Sequence, residues 1–285
     1  MTFEELVNCK YAVIGNPIGH SKSPQMQNAG FEYYGMGSIY GKKLVLPDEL
    51  GEFVDFARKN LLGFNITVPY KQDIIPYVDE ISDVAKLSHS VNTVKIENGR
   101  FIATSTDGVG LATALQVHFN KDVKDLRVTF AGAGGAAQAA AWYFACNGAS
   151  MINIANRSIE KAEKLSVDLK SAFSALQSAV CELADSAKMA EFVRCSDVLI
   201  QSTSLGLKDG DAAPFELKVL ADNKNICVYD LIYKETEILK YCGANNILCA
   251  NGSDMLLYQG AASFEFWTGR KAPVEAMRKG LEKAK

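Results

Sequence analysis

Residues 126–137 read LRVTFAGAGGAA, a short apolar run that passes directly into a glycine-rich turn. The run Leu126–Ala131 predicts a buried strand, and the residues from Ala136 to Asn147 predict a helix that ends at Gly148. A glycine turn between a strand and a helix is the setting in which dinucleotide folds bind a pyrophosphate. This stretch therefore predicts a Rossmann-type domain.

The glycines of this turn have separate predicted roles. Gly132 permits the tight turn, Gly134 lets the backbone approach the phosphates, and the helix start offers free N–H groups to an anion. An ordinary strand–helix connection is the alternative, but three glycines within four positions weaken both elements. We predict that the cofactor contacts the whole turn, which comprises Gly132, Ala133, Gly134, Gly135 and Ala136.

The residues after the next predicted strand, Met151–Ala155, indicate which dinucleotide binds. NAD sites usually carry an acidic residue there for the ribose 2′-hydroxyl, whereas this chain has Asn156-Arg157-Ser158 followed by Lys161. A guanidinium pairs with a 2′-phosphate, and a carboxylate would repel it. We therefore predict NADP, bound by these four residues, with solvated surface positions as the alternative for Arg157 and Lys161.

Further alternation of strands and helices extends over the rest of the chain. Strands predicted after the glycine turn complete a doubly wound domain, at Asp197–Ser202, Ile226–Leu231 and Ile247–Ala250. Before it, predicted strands at Tyr11–Gly15, Lys43–Leu46 and Gly63–Thr67 alternate with helices that open at Ser23-Pro24, with Ser23 as N-cap, and at Pro47. This alternation predicts βαβ units and a mostly parallel sheet in the first part as well.

Asn98-Gly99 lies between two alternating segments and predicts a β-hairpin over residues 91–106. A two-residue turn at that point pairs Glu97 with Arg100, and each step back along the ladder keeps the same register. The pairing places Asn92 and Asp107 at the same end of the hairpin, within the reach of diagonal neighbours.

Composition excludes several classes of protein. The 285 residues are 48% hydrophobic and 22% charged with a net charge of −3, which is typical of a folded globular chain without a basic stripe for nucleic acid. Seven cysteines without a CxxC spacing and three histidines argue against a metal site. The uncharged stretch 128–156 is interrupted by glycines, so we expect no membrane span. A polar N-terminus and an odd cysteine count predict the cytoplasm.

Six motifs occur in one order along nearly the whole chain and together resemble the shikimate dehydrogenase family. They are GNPIGHSKSP at 15–24, NITVPYK at 65–71, Asn92-Thr93 with Ser105-Thr106-Asp107, the GAGGAA turn, Asn156-Arg157-Ser158, and the segment 255–269. The resemblance implies NADPH-dependent, reversible reduction of 3-dehydroshikimate to shikimate, in aromatic amino-acid biosynthesis. It also implies an α/β substrate domain at 1–106, an NADP domain at 107–251, and C-terminal helices at 252–285 that return to the first domain.

The resemblance implies roles for particular residues. Lys71 and Asp107 match the family's catalytic pair, and Ser21 and Ser23 match the serines that hold the substrate carboxylate. Further positions match the groups that contact the substrate (Asn65, Thr67, Asn92, Tyr233, Gln259) or the cofactor (Thr203, Met255). An ammonium beside a carbonyl oxygen stabilises the developing alkoxide and can supply its proton. Whether Lys71 carries that proton or acts only through its charge stays open.

Simpler interpretations exist for several of these residues. Lys71 could be a surface lysine on a helix that starts at Pro69, Ser23 a plain helix cap, and Asp107 the cap of the next helix. Gln259 could be a core amide and Met255 a core residue. The pairing of Asp107 with Asn92 argues against a cap alone.

The chain departs from the family pattern at five places. They are Met26-Gln27-Asn28, Ser105-Thr106-Asp107, Gln201-Ser202-Thr203, Tyr233-Lys234-Glu235 and Gly252-Ser253. These departures leave open a quinate-type or broader cyclitol dehydrogenase. A non-catalytic NADP-binding regulatory module is a second alternative, and a one-carbon folate dehydrogenase a distant further one. We expect a monomer or homodimer.

Overall fold

The computed structural model describes residues 1–37 and 39–284. The chain divides into two compact units, one formed by residues 1–110 and 257 onward, the other by residues 111–256. Two helices contain the boundaries, Asp107–Phe119 and Ser253–Thr268. The assignment of a substrate role to one part of the chain and a cofactor role to another stays a prediction.

The first unit contains a mixed six-stranded sheet. Its strands are β1 (Tyr11–Gly15), β2 (Tyr40–Leu44), β3 (Gly63–Ile66), β4 (Glu80–Ile81), β5 (Thr93–Glu97) and β6 (Arg100–Thr104). They lie in the order β2-β1-β3-β5-β6-β4, in which only the pairs β3–β5 and β5–β6 are antiparallel. The mostly parallel sheet that the sequence predicts is therefore confirmed.

Helices cover both faces of this sheet, since its central strands are buried on both sides. The helices are α1 (Phe3–Leu6), α2 (Ser23–Tyr33), α3 (Leu50–Asn60), α4 (Asp83–Leu87), the start of α5 (Asp107–Phe119), most of α10 (Ser253–Thr268) and α11 (Val274–Lys283), with 3₁₀ turns at Pro47–Glu49 and Ile75–Tyr77. Phe53 of α3 packs edge-on against Phe64 on one face, with 5.1 Å between ring centroids. On the other face, Trp267 of α10 donates to the Val94 carbonyl at 2.9 Å.

The predicted hairpin forms with the expected register. Glu97 pairs with Arg100, and Thr93 pairs with Thr104. Asn98 and Gly99 both have positive φ, at 51° and 74°, as the type I′ turn requires.

Three strands of the first and second units differ from the prediction. The second strand spans Tyr40–Leu44 rather than Lys43–Leu46, because Tyr40 pairs with Tyr11 and is buried, whereas Leu46 lies beyond the strand and is exposed. The two-residue strand Glu80–Ile81 and the three-residue strand Val180–Glu182 were not predicted. They are too short to show a period of two, and pairing with neighbouring strands defines them.

The second unit is a doubly wound domain with an all-parallel sheet. Its strands are β7 (Arg127–Ala131), β8 (Met151–Asn156), β9 (Val180–Glu182), β10 (Val198–Gln201), β11 (Cys227–Asp230) and β12 (Leu248–Ala250), and its own helices are α6 (Gly135–Cys146), α7 (Ile159–Ala172), α8 (Ser186–Cys195), a 3₁₀ turn at Leu217–Asp222 and α9 (Glu237–Ala244). The order β9-β8-β7-β10-β11-β12 is the Rossmann order 3-2-1-4-5-6. The predicted Rossmann-type domain is confirmed.

Membrane-spanning helices and metal-ligand clusters are both absent from the described residues, 1–37 and 39–284. Neither a helix long and apolar enough to cross a membrane nor a cluster of three or more possible metal ligands occurs among them.

Candidate active site

Lys71 and Asp107 form an ion pair in the first unit. The Lys71 Nζ lies 2.5 Å from the Asp107 Oδ2, and the two side chains are 20% and 8% exposed. Lys71 does not lie on a helix starting at Pro69, because residues 69–74 form turns instead. The turn is held by Tyr70, whose buried hydroxyl donates to the Val45 carbonyl at 2.6 Å. The surface-helix interpretation of Lys71 is therefore wrong.

Asn92 holds the other oxygen of the Asp107 carboxylate. Its Nδ2 donates to the Asp107 Oδ1 at 2.8 Å, and its Oδ1 accepts from the Thr106 N–H at 2.8 Å. The second bond decides which way the amide points. The prediction that Asn92 and Asp107 lie at one end of the hairpin is confirmed, and the carboxylate is oriented from two sides.

A buried polar network lies next to this pair and is centred on Asn65. The Tyr40 hydroxyl donates to the Asn65 Oδ1 at 2.7 Å, and burial raises the pKa of Tyr40 well above its ordinary value. The Asn65 Nδ2 lies within 3.1 Å of the Asn92 carbonyl and of the hydroxyls of Thr93 and Ser263. Asn65 is thus anchored on all sides inside the unit.

Sequence reasoning missed Tyr40 and Ser263. Ser263 is fully buried on α10, 2.8 Å from the Thr93 hydroxyl and 3.2 Å from the Thr106 hydroxyl. One signal was available for it, because it lies four residues after Gln259 on an otherwise apolar helix and so shares its face. For Tyr40 the sequence contains no such signal, since sheet pairing alone brings it to Asn65.

Gln259 lies beside the same network, and Thr67 follows the strand that carries Asn65. The Gln259 Oε1 is 3.3 Å from the Asn92 Nδ2 and 3.4 Å from the Thr106 hydroxyl. The Thr67 N–H donates to the Ile14 carbonyl at 2.9 Å, and its methyl group would be 2.5 Å from a Cβ added at Gly15. We call residues 15–23 the serine loop. Its first residue, Gly15, therefore packs directly on Thr67.

The two serines differ from the prediction in their local roles. Helix α2 begins at Ser23, and Lys22 occupies the N-cap position without a side-chain bond. The Ser21 Oγ accepts from the Ser23 N–H at 3.4 Å. The interpretation of Ser23 as the N-cap is wrong by one residue, because Ser21 supplies the oxygen for the first turn and the Ser23 hydroxyl is not used there.

The glycine turn of the second unit lies at the carboxyl end of β7, where the strand order reverses. Gly132 has φ +119°, and an added Cβ would be 2.7 Å from the Ser202 Oγ, so the chain just after β10 closely approaches the turn. Gly134 is the N-cap of α6 and has open space around it. The next N–H groups, from Gly135 and Ala136, belong to the first helical turn and have no acceptor within the helix.

Asn156 connects the glycine turn to the cationic residues after β8. Its Oδ1 accepts from the Ala133 N–H at 3.1 Å, and its Nδ2 donates to the Ser158 carbonyl at 2.8 Å. Arg157 and Lys161 are exposed. Within residues 1–37 and 39–284, neither side chain has an ion-pair partner, so both charges are available to a ligand.

The remaining predicted positions lie in the loops after β10 and β11 and at the start of α10. The Thr203 N–H donates to the Gln201 Oε1 at 2.6 Å. Tyr233 is 50% exposed, in a loop that Asp230 anchors through the Thr236 hydroxyl at 2.6 Å. Burial raises the pKa of Asp230. Met255 is buried, and its N–H donates to the Tyr229 hydroxyl at 3.0 Å.

A matched pair of substitutions separates the two functions of the turn. Gly132→Ala should lower the melting temperature by several degrees, since it combines a positive φ with a clash, whereas Gly134→Ala should fold normally. Gly134→Ala should nevertheless weaken dinucleotide binding, because its methyl group occupies the space that the phosphates approach. Thermal unfolding and cofactor titration measure the two effects, and equal stability of both variants would contradict this assignment.

An all-parallel sheet in Rossmann order, with its glycine turn at the point where the order reverses, defines a dinucleotide-binding class of protein. Comparison with known proteins identifies the family within that class. Residues 13–94 match the shikimate dehydrogenase substrate-binding domain, residues 114–207 match shikimate / quinate 5-dehydrogenase, and residues 252–282 match the shikimate 5′-dehydrogenase C-terminal domain. The chain belongs to the shikimate dehydrogenase family.

Individual relatives match over almost the full chain. A shikimate dehydrogenase (NADP(+)) of Bacillus cereus is 38% identical over 273 residues, which are 94% of this chain and 95% of the relative. Shikimate 5-dehydrogenase of Listeria monocytogenes, solved with shikimate and NAD, has a TM-score of 0.88 at 30% identity and covers 95% of this chain and 96% of its own. The Thermus thermophilus enzyme, solved with NADP(H) and shikimate, has a TM-score of 0.85 at 26% identity, covering 97% of this chain and 100% of its own.

Proposed function

We propose that this protein catalyses the NADPH-dependent, reversible reduction of 3-dehydroshikimate to shikimate. The observation that carries the proposal is the ion pair of Lys71 with Asp107, held from a second side by Asn92 and bordered by buried amide and hydroxyl groups. The Bacillus relative is named for shikimate and NADP(+), which favours shikimate over quinate and an enzyme over a regulatory module.

The residues of the second unit fit NADP. The Arg157 guanidinium is exposed beside the glycine turn and has no ion-pair partner in the described chain, 1–37 and 39–284. A 2′-phosphate satisfies such a group, and no carboxylate stands in its place at the end of β8. We assign the pyrophosphate to Gly134, Gly135 and Ala136 and the phosphorylated ribose to Arg157, Ser158 and Lys161. The bound cofactor supplies the hydride to the carbonyl carbon.

The chain's own groups handle the substrate and the proton. Ser21 and Ser23 hold the carboxylate, and Asn92, Thr67 and Gln259 contact the ring hydroxyls. The Lys71 ammonium donates a hydrogen bond to the carbonyl oxygen, and its charge stabilises the alkoxide that develops there. The ammonium then transfers that proton to the oxygen to complete the alcohol, and solvent reprotonates the resulting amine. Asp107 orients that ammonium through the 2.5 Å contact. We further assign the protein to the cytoplasm, supported by the seven cysteines of the described residues, none of which forms a disulfide, and we expect a monomer or homodimer.

The purified protein provides a direct test. We expect shikimate and NADP+ to produce the absorbance of the reduced nicotinamide, with a higher kcat/KM for NADP+ than for NAD+ and for shikimate than for quinate. Turnover of quinate in preference to shikimate would replace the proposed substrate. Binding of NADPH without turnover of either acid would contradict the enzymatic proposal.

A further inference from the structure

Lys42 lies on the sheet face that carries the polar network. The strand register pairs Lys42 with Val13, Val13 with Asn65, and Asn65 with Thr93. Paired residues point to the same side of a sheet. The side chain of Tyr40, two residues before Lys42 on the same strand, points to the same face, and its hydroxyl reaches Asn65. Lys42 therefore extends this face of the sheet to its edge strand.

The Lys42 side chain crosses to the loop that contains the two serines. Its Nζ donates to the Gly19 carbonyl at 2.5 Å. Two residues later Ser21 donates its N–H back to the Ile18 carbonyl at 3.0 Å, so the loop is folded tightly around this point. Lys42 is half-buried and has no carboxylate partner within residues 1–37 and 39–284. A positive charge without an ion-pair partner in the described residues therefore contacts the loop that carries Ser21 and Ser23.

Ser21 and Ser23 alone do not distinguish an acid from a neutral ring. Their hydroxyls donate hydrogen bonds to a carboxylate, an ester or an amide, and neither carries a charge. An ammonium near the carboxylate adds attraction only for the anion, and at a partly exposed position with a dielectric constant close to that of water this corresponds to about three- to tenfold in affinity.

We propose that Lys42 is a specificity-determining residue that selects anionic ring acids by supplying the positive charge of the carboxylate site. The proposal rests on the proposed function, since it assigns the substrate carboxylate to Ser21 and Ser23. In this proposal Lys42 supplies the positive charge that the two serines lack. The charge of residue 42, rather than its hydrogen bond to Gly19, is therefore expected to affect substrate binding.

Two variants separate charge from hydrogen bonding. Lys42→Gln keeps a hydrogen-bond donor, on a side chain one atom shorter, but removes the charge, and Lys42→Arg keeps both the donor and the charge. Lys10→Gln is the matched control, because it changes the net charge equally and lies just before β1, at the opposite end of that strand from the serine loop. The measurements are the dissociation constants of shikimate and of its neutral methyl ester, together with kcat and KM for shikimate.

We expect Lys42→Gln to raise KM and the dissociation constant of shikimate by about three- to tenfold at low salt, and to leave the binding of the methyl ester unchanged. Lys42→Arg and Lys10→Gln should match the wild-type protein, and kcat should stay constant throughout. Added salt should weaken shikimate binding more in the wild-type protein than in Lys42→Gln.

Two results would overturn the inference. If Lys42→Gln lost affinity equally for shikimate and for its methyl ester, Lys42 would only hold the loop. If the affinity for both were unchanged, the charge of Lys42 would not act on the substrate. Either result is distinct from a failure of the proposed function, in which the wild-type protein itself would not oxidise shikimate. Circular dichroism and thermal unfolding of each variant establish that the proteins compared are folded.

Discussion

We expect Lys71→Met to lower kcat by about 10²–10⁴-fold, the range typical of a lost general acid or charge-stabilising donor, and to change KM for shikimate little. The reason is geometric, because the ammonium is held 2.5 Å from Asp107 and the motif NITVPYK contains no second cation that could replace it. Steady-state kinetics with shikimate and NADP+ give kcat and KM separately. The pattern of lost kcat with retained KM identifies an interaction that is made mainly in the transition state.

Lys86→Met provides the control for this variant. Lys86 is exposed on α4 of the same unit, so its replacement removes an equal charge without touching the ion pair. Its kcat should equal that of the wild-type protein. Retention of kcat in a folded Lys71→Met protein would remove Lys71 from the catalytic site, and with it the proposed reaction mechanism.

We expect Arg157→Gln to raise KM for NADP+ by about 10- to 100-fold and to leave KM for NAD+ nearly unchanged, because a charge-assisted bidentate contact contributes about 1.5–3 kcal/mol. NAD+ lacks the 2′-phosphate and therefore loses no such contact. Kinetics with the two cofactors at saturating shikimate measure the ratio directly.

Lys170→Gln is the matched control for the cofactor prediction. Lys170 is an exposed cation in the last turn of α7, whereas Arg157 precedes the first turn of that helix. Its substitution should not change the preference for NADP+. If Arg157→Gln weakened the binding of both cofactors equally, the guanidinium would contact a group that NADP+ and NAD+ share. The assignment of the 2′-phosphate to Arg157 would then be wrong.

Much of the fold could be predicted because its signals are local. The strand–glycine–helix stretch at 126–137 needs only neighbouring residues to form its turn, and Gly132 shows the positive φ that this role requires. The two-residue turn at Asn98-Gly99 determines the register of the whole hairpin. That register alone predicts Asn92 next to Asp107, and the two side chains are hydrogen-bonded in the structure.

Other features could not be predicted because they depend on partners distant in sequence. The start of β2 follows from the pairing of Tyr40 with Tyr11, which outweighs the apolar run at 43–46. Short strands such as Glu80–Ile81 exist only where a neighbour completes their hydrogen bonds. The helix start at Ser23 follows from the fold of the preceding loop, and a cap preference alone placed it one residue too late.

The sequence by itself determined the family motifs, the Rossmann-type domain and the identity of the chemical groups, because these depend on residue type and short spacing. Only the tertiary structure decided how those groups are held: Ser263 and Tyr40 orient Asn65, and Lys42 reaches the serine loop from an edge strand. Such contacts join residues that are far apart in the chain. No local preference encodes them, and they arise when strand pairing and helix packing bring the side chains within hydrogen-bond distance.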